Sequence, residues 1–181
     1  MLCAGASVDV ESQPIDVEQS TLTVHVYKAG LFSAFADNHV VRAPIAGGRI
    51  SADGTLAVEL TVKAAQMTVL DPTLSADKRA EVQARMHGPE VLDSARYPDI
   101  RFNSRHVAPD GADRWQVTGD LTLHGTSRPL TFVVVRRDGR FRGTVSIRQR
   151  DFGIRPISIA GGTVKVKDEV HIDFDIVDAT R

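Results

Sequence analysis

Cysteine is nearly absent. Cys3 is the only one among 181 residues, which excludes an internal disulfide framework and any multi-cysteine metal site. An excess of one charge is also missing: 22 Lys and Arg against 23 Asp and Glu leave a formal net charge of −1. That balance provides no electrostatic basis for binding nucleic acid or an anionic membrane surface. No apolar run approaches the ~20 residues that a membrane-spanning helix needs. Gly47-Gly48 and Gly161-Gly162 do not open helices as phosphate loops do, and no serine sits on a Gly-x-Ser-x-Gly elbow. An enzyme is therefore not expected. Residues 1–6 are short and lack the basic start of a secretory signal, and the Cys3 thiol is read as incidental.

What the chain has in abundance is alternation. Over residues 164–177, Val164, Val166, Val170, Ile172, Phe174 and Ile176 share one parity, while Lys165, Lys167, Glu169, His171, Asp173 and Asp175 share the other. Successive side chains of a strand point to opposite faces, so this is a strand with one oily and one wet face. Only Asp168 breaks the series. Leu22, Val24 and Val26 repeat the pattern, as do Val58, Leu60 and Val62. Further strands are expected over 38–42, 45–51, 100–107, 115–124, 129–137 and 140–150. Asp53-Gly54 and Asp138-Gly139 are two-residue hairpin signals between such runs.

One helix interrupts the series. Ser75 suits its N-cap, Asp77 its first turn, and Glu81 and Arg85 form an i,i+4 pair, before Gly88-Pro89 ends it near residue 87. The expected organisation is a flexible tail over 1–16 and one domain over 17–179. Its fold class is all-β: an antiparallel up-and-down barrel of about eight strands with one helix inserted near 75–87. From parity, Val24, Val26, Leu60, Val62, Phe102, Val117, Leu121, Leu123, Val145, Ile147, Ile172 and Phe174 should point inward.

Six histidines invite a metal or haem reading, with His39 and His124 at strand ends as its candidates. No two histidines have the close spacing of a zinc motif, so no metal site is assigned. Asp151-Phe152-Gly153 lacks the surroundings of a kinase magnesium triplet and is read as chance. Apolar side chains outside the regular strands, including Phe32, Phe35, Met67, Val82 and Met86, allow two readings. They gate a cavity inside the barrel, or they plug its end. An adaptor whose closed core binds nothing is a third reading of the residues.

Several stretches together resemble the YceI-like family of lipocalin-like, isoprenoid-binding proteins. They are Val91-Leu92-Asp93-Ser94-Ala95-Arg96-Tyr97-Pro98-Asp99-Ile100-Arg101-Phe102, Val117-Thr118-Gly119-Asp120-Leu121-Thr122-Leu123-His124-Gly125-Thr126-Ser127-Arg128-Pro129-Leu130, Asp151-Phe152-Gly153-Ile154 and Lys167-Asp168-Glu169-Val170. The likeness spans roughly residues 16–178. It implies a barrel holding a long amphiphile such as a polyprenyl quinone, a polyprenyl phosphate or a fatty amide. It also implies a periplasmic or secreted location and no required cofactor; a homodimer is left open. The expected ligand contacts are Phe32, Phe35, Met67, Val82 and Met86, with Leu60, Val62, Phe102, Val117, Leu121, Val145, Ile147, Ile172 and Phe174 on the wall. The polar head is expected at the rim, near Asn38, His39, Lys78 and Arg79.

Overall fold

The computed structural model describes residues 12–29, 38–51, 57–159 and 164–179. Its strands are β1 (Ser12–Pro14), β2 (Thr21–Ala29), β3 (His39–Arg42), β4 (Ile45–Ser51), β5 (Ala57–Lys63), β6 (Thr68–Val69), β7 (Asp99–Pro109), β8 (Arg114–Leu123), β9 (Thr126–Arg137), β10 (Arg140–Arg148), β11 (Ser158–Ile159) and β12 (Val164–Val177). Among the described residues there is one α-helix, α1 (Ala76–His87). All pairings are antiparallel, in the order β1-β4-β5-β7-β8-β9-β10-β12-β2-β3-β6, with β11 added beside β12.

The two ends of that order are joined through a bend. Residues 39–51 run as one strand kinked at Ala43-Pro44, where Pro44 has no N–H and the Ala43 N–H donates to the Leu22 carbonyl at 2.9 Å. Before the kink, β3 lies between β2 and β6; after it, β4 lies between β1 and β5. The sheet thus curls round into the expected antiparallel barrel. It is built from twelve strands rather than about eight, because β1 with β2, β3 with β4, β5 with β6, and β10 with β11 each share one position around the ring. The ring is not evenly laced. β10 pairs with β12 from Arg140 to Arg148, but with β9 only from Arg140 to Arg142. Pro129 lies on the part of β9 that the β10 ladder does not reach. A proline is tolerated on such an edge because it has no N–H to leave unpaired.

Several local expectations need correcting. Within the stretch read as a tail, Ser12–Pro14 pairs with β4 and Ile15 bridges to Asp178, with its side chain buried. An edge strand needs only partners for its backbone, so the polar, aperiodic sequence concealed it. β9 begins at Thr126, not Pro129, because His124 and Gly125 form a two-residue turn with φ of 51° and 71°. Asp138-Gly139 turns in the same left-handed way, as expected, whereas Asp53-Gly54 lies outside the described residues. Ser75 caps α1, but Arg85 bonds Glu90 at 2.9 Å rather than Glu81. The alternation of β12 is interrupted by a bulge between Val166 and Val170. There Asp168 accepts the Arg150 N–H at 3.0 Å and the Lys167 carbonyl accepts from Gln149 Nε2 at 2.8 Å, fastening the turn after β10.

Mid-barrel, three inward rings form a tier: Phe102 lies 5.2 Å from Phe132, and Phe132 lies 5.5 Å from Phe174. Inward glycines on neighbouring strands make room for them. A Cβ on Gly119 would fall 2.6 Å from Phe102 Cζ and 2.7 Å from Ser104 Cα. A Cβ on Gly143 would meet the Phe174 ring and the Val133 carbonyl closer than 3.0 Å. On the outer face, Asp175 accepts from Arg140 Nε at 2.6 Å and Arg142 Nε at 2.9 Å. Partial burial pushes its carboxyl upward, but the two guanidiniums outweigh this and hold it below the ordinary carboxylate range.

Two outcomes follow from this packing. Gly143→Ala should cost about 1–3 kcal/mol by overpacking, read as a lowered thermal midpoint, and a midpoint equal to wild type would contradict the tier described. Asp175→Asn should cost about 1 kcal/mol at neutral pH. Because the folded carboxyl titrates below its unfolded value of about 3.9, that contribution is complete above the unfolded value. It should vanish as pH falls through the folded one, so denaturation curves of variant and wild type should converge in acid.

Candidate functional site

The oily faces of the ring enclose a cavity of about 220 Å3. Every side chain lining it is apolar except Gln149. Val24, Val26, Leu60, Val62, Phe102, Val117, Leu121, Leu123, Val145, Ile147, Ile172 and Phe174 all lie on this wall, so the register read from parity is the register of the fold. Buried apolar area of this kind is the largest favourable term available to a guest, and the absence of charge on the wall means a charged group would lose its hydration there without compensation.

The long connections gather at one end of the ring. β5 and β7 are joined through residues 64–98, and β10 and β12 through residues 149–163, while His124-Gly125 turns between them. Residues 64–98 fold across the opening, and Met67, Met86, Val91 and Leu92 line the cavity from that side. α1 is held there by Gln83, whose Oε1 accepts the Val69 N–H and whose Nε2 donates to the Met67 carbonyl, both at 2.7 Å. The side-chain amide thus pairs with the edge of β6 as a peptide would. Val82 packs against the core from the same helix without lining the cavity. Phe32 and Phe35 lie outside the described residues.

The expected rim residues do not form a group open to a ligand. His39 Nδ1 lies 2.5 Å from Oδ2 of the buried Asp71, whose Oδ1 accepts the Val40 N–H at 2.7 Å. Arg79 donates to the Asp71 carbonyl at 3.1 Å. His39 is therefore engaged in tying the 64–98 segment to β3, and Arg79 in bracing Asp71 from within that segment. Asn38 is exposed and accepts the Lys28 N–H at 3.3 Å, and Lys78 lies on the exposed side of α1. The pattern of polar residues near a loop could not distinguish a free rim group from a tether, since both need a polar side chain beside an apolar one.

His124 is likewise structural in its setting. Its ring lies 4.6 Å from that of Tyr97, and its Nδ1–H donates to the Phe152 carbonyl at 3.3 Å. Arg128 Nε donates to the Asp151 carbonyl at 2.9 Å, and a Cβ on Gly125 would strike the Tyr97 ring. Tyr97, His124, Gly125, Arg128 and residues 151–154 thus clasp three connections together. His39 and His124 belong to different clusters, and among the described residues no three His, Cys, Asp or Glu gather as a metal site.

Some lining residues escaped the sequence reading. Leu130, Phe132 and Val134 share the inward parity of β9, but Val133 and Val135 are apolar too, so both phases of the run looked eligible. Ile15 was hidden in a polar stretch, and Ile154 in an aperiodic turn whose φ of 74° at Gly153 no periodicity reveals. Replacing Asp71 with Ala should leave the partly buried Val40 N–H and the His39 ring without their acceptor and cost about 1–3 kcal/mol. Limited proteolysis should then cut within 64–98 faster than in wild type; equal rates would show that the tether is dispensable.

Comparison with known proteins agrees with this architecture. Among solved structures, BcnA of Burkholderia cenocepacia superposes with a TM-score of 0.70 at 19% identity, over 90% of this chain and 98% of that one. A polyisoprenoid binding domain from Saccharophagus degradans gives a TM-score of 0.60 at 18% identity, over 90% and 95%. A UPF0312 protein of Vibrio cholerae is 28% identical over 151 residues, which are 77% of this chain and 78% of that protein. The model of the YceI-like domain matches residues 7–177, and the chain belongs to the YceI-like family.

Proposed function

We propose that the protein binds one long lipophilic molecule of polyisoprenoid type inside the barrel, and carries or sequesters it without performing chemistry on it. The observation that carries this reading is the cavity inside the ring, whose lining is apolar at every position but Gln149. The fold it shares with the polyisoprenoid binding domain from Saccharophagus degradans supports the same ligand class. Chain length follows from magnitudes. Each buried CH2 contributes about 0.8 kcal/mol, so about ten carbons yield about 8 kcal/mol. Association costs about 4–15 kcal/mol, which cancels most of that. About twenty carbons double the gain and leave net affinity. Long, flexible, uncharged tails are therefore selected over short ones.

Native mass spectrometry of the intact chain, followed by organic extraction and lipid analysis, should reveal one lipid per chain. Protein that is consistently empty and takes up no offered polyprenyl compound would overturn the reading. Val24→Trp, which fills the cavity from β2, and Met86→Glu, which places a charge on its cap, should each reduce uptake at least tenfold. For Met86→Glu the thermal midpoint should move little. A large loss of stability with unchanged uptake would instead make Met86 a structural plug.

A further inference from the structure

The unlaced stretch between β9 and β10 is a seam in the barrel wall. The two strands contain twelve and nine residues, yet their shared ladder ends at the pair Val135 and Arg142. On its other edge each strand is held along its length: β9 pairs with β8 as far as Thr126, and β10 with β12 as far as Arg148. Prising neighbouring strands apart ordinarily breaks a row of backbone hydrogen bonds. Beyond Arg142 this seam has no such row to break. Its inner lips are apolar, since Leu130 and Phe132 on one side and Val145 and Ile147 on the other all line the cavity. Its outer lips are polar, with Thr131 exposed on β9 and Thr144 and Ser146 exposed on β10. Pro129, which has no N–H to donate, lies near the foot of the seam.

Across that foot runs Arg128, whose Nε donates to the Asp151 carbonyl at 2.9 Å. The turn carrying Asp151 stays with β12, because Asp168 accepts the Arg150 N–H and the Lys167 carbonyl accepts from Gln149. The neighbouring bond from His124 to the Phe152 carbonyl belongs to the turn before β9 and holds the clasp beyond the seam. Inside, the Phe132 ring reaches the Phe174 ring at 5.5 Å, a contact without directional bonds. The cap is fastened differently. Lifting α1 would break the bonds of Gln83 to Val69 and Met67. Lifting the whole 64–98 segment would break those of Asp71 to His39 and Val40, together with the β3–β6 ladder. Resting on the reading of the barrel as a lipid carrier, we propose that the guest enters and leaves sideways through the β9–β10 seam, with Arg128 as its latch, while the cap stays shut. A tail slipping between the strands passes from water to the apolar interior across the thickness of one strand, and no ladder hydrogen bond is lost on the way.

Trp115 lines the cavity and is the single tryptophan of the chain, so its fluorescence reports the arrival of a guest. Uptake of geranylgeraniol is followed by stopped flow in a Cys3→Ser background carrying one of two cysteine pairs, each bridged by a reducible bis-maleimide. Thr131→Cys with Ser146→Cys, at positions that would be partners if the β9–β10 ladder continued, bridges the seam. Arg42→Cys with Thr68→Cys, at partner positions of β3 and β6, locks the cap segment to β3. The seam bridge should slow uptake by about tenfold or more, with the equilibrium affinity unchanged and full speed regained on reduction. The cap bridge should leave the rate unchanged. Arg128→Gln, tested without any bridge, should speed uptake about threefold at unchanged affinity, since one hydrogen bond is removed from the closed state. Full-speed uptake with the seam bridged, equal slowing by both bridges, or an unaltered rate in Arg128→Gln would overturn the lateral route and leave the carrier reading standing. Failure of every form, wild type included, to bind geranylgeraniol would overturn the carrier reading itself.

Discussion

A curled antiparallel sheet closes only if some run of chain belongs to both ends of its strand order, and residues 39–51 are that run. Before Ala43-Pro44 the segment lies between β2 and β6, and after it between β1 and β5. The placement of proline is physically apt, since the missing N–H falls where the ladder changes partners. Rolling the sheet through this strand turns its apolar faces inward and makes them one continuous wall. The same closure sends the two long connections, after β5 and after β10, to one end. Cavity and cap both follow from it.

Family motif and cavity wall divide the labour. The recognisable residues, Tyr97, His124, Gly125, Arg128 and 151–154, meet one another at the clasped end. They need specific identities because they make directional bonds, a left-handed turn and a close ring contact. The wall is built from Val, Leu, Ile and Phe, whose role is area and volume. Volume-conserving exchanges among such residues usually cost less than about 1.5 kcal/mol. Chains can therefore share the clasp while differing over most of the wall. The inward glycines belong with the motif in this respect: Gly119 and Gly143 are set by the absence of space, and no other residue fits beside the rings of Phe102 and Phe174.

Legibility followed the same division. Parity identified twelve wall residues because strands 22–26, 58–62, 100–103, 117–123, 144–148 and 170–176 carry polar side chains on the alternate positions. It was blind on β9, where Val133 and Val135 are apolar on the outer face, and in the first strand, whose partners rather than its pattern hold it. Helix α1 was legible from its caps, since Ser75 and Gly88-Pro89 act locally. Its ion pair was not, because Glu90 approaches Arg85 only after the chain has turned past Gly88.

Sequence alone determined the class of fold, the face of each regular strand that would be buried, and the position of the helix, because those depend on interactions between residues a few positions apart. Tertiary structure decided the rest. His39 became a tether because Asp71, 32 residues away, was folded against it. His124 became part of a clasp because Phe152 and Tyr97 arrived from other connections. Arg155 was passed over in a loop and came to lie beside Arg85 and Glu90 at the clasped end. A polar side chain acquires its role from the partner that reaches it, and which partner does so is settled only when the sheet closes.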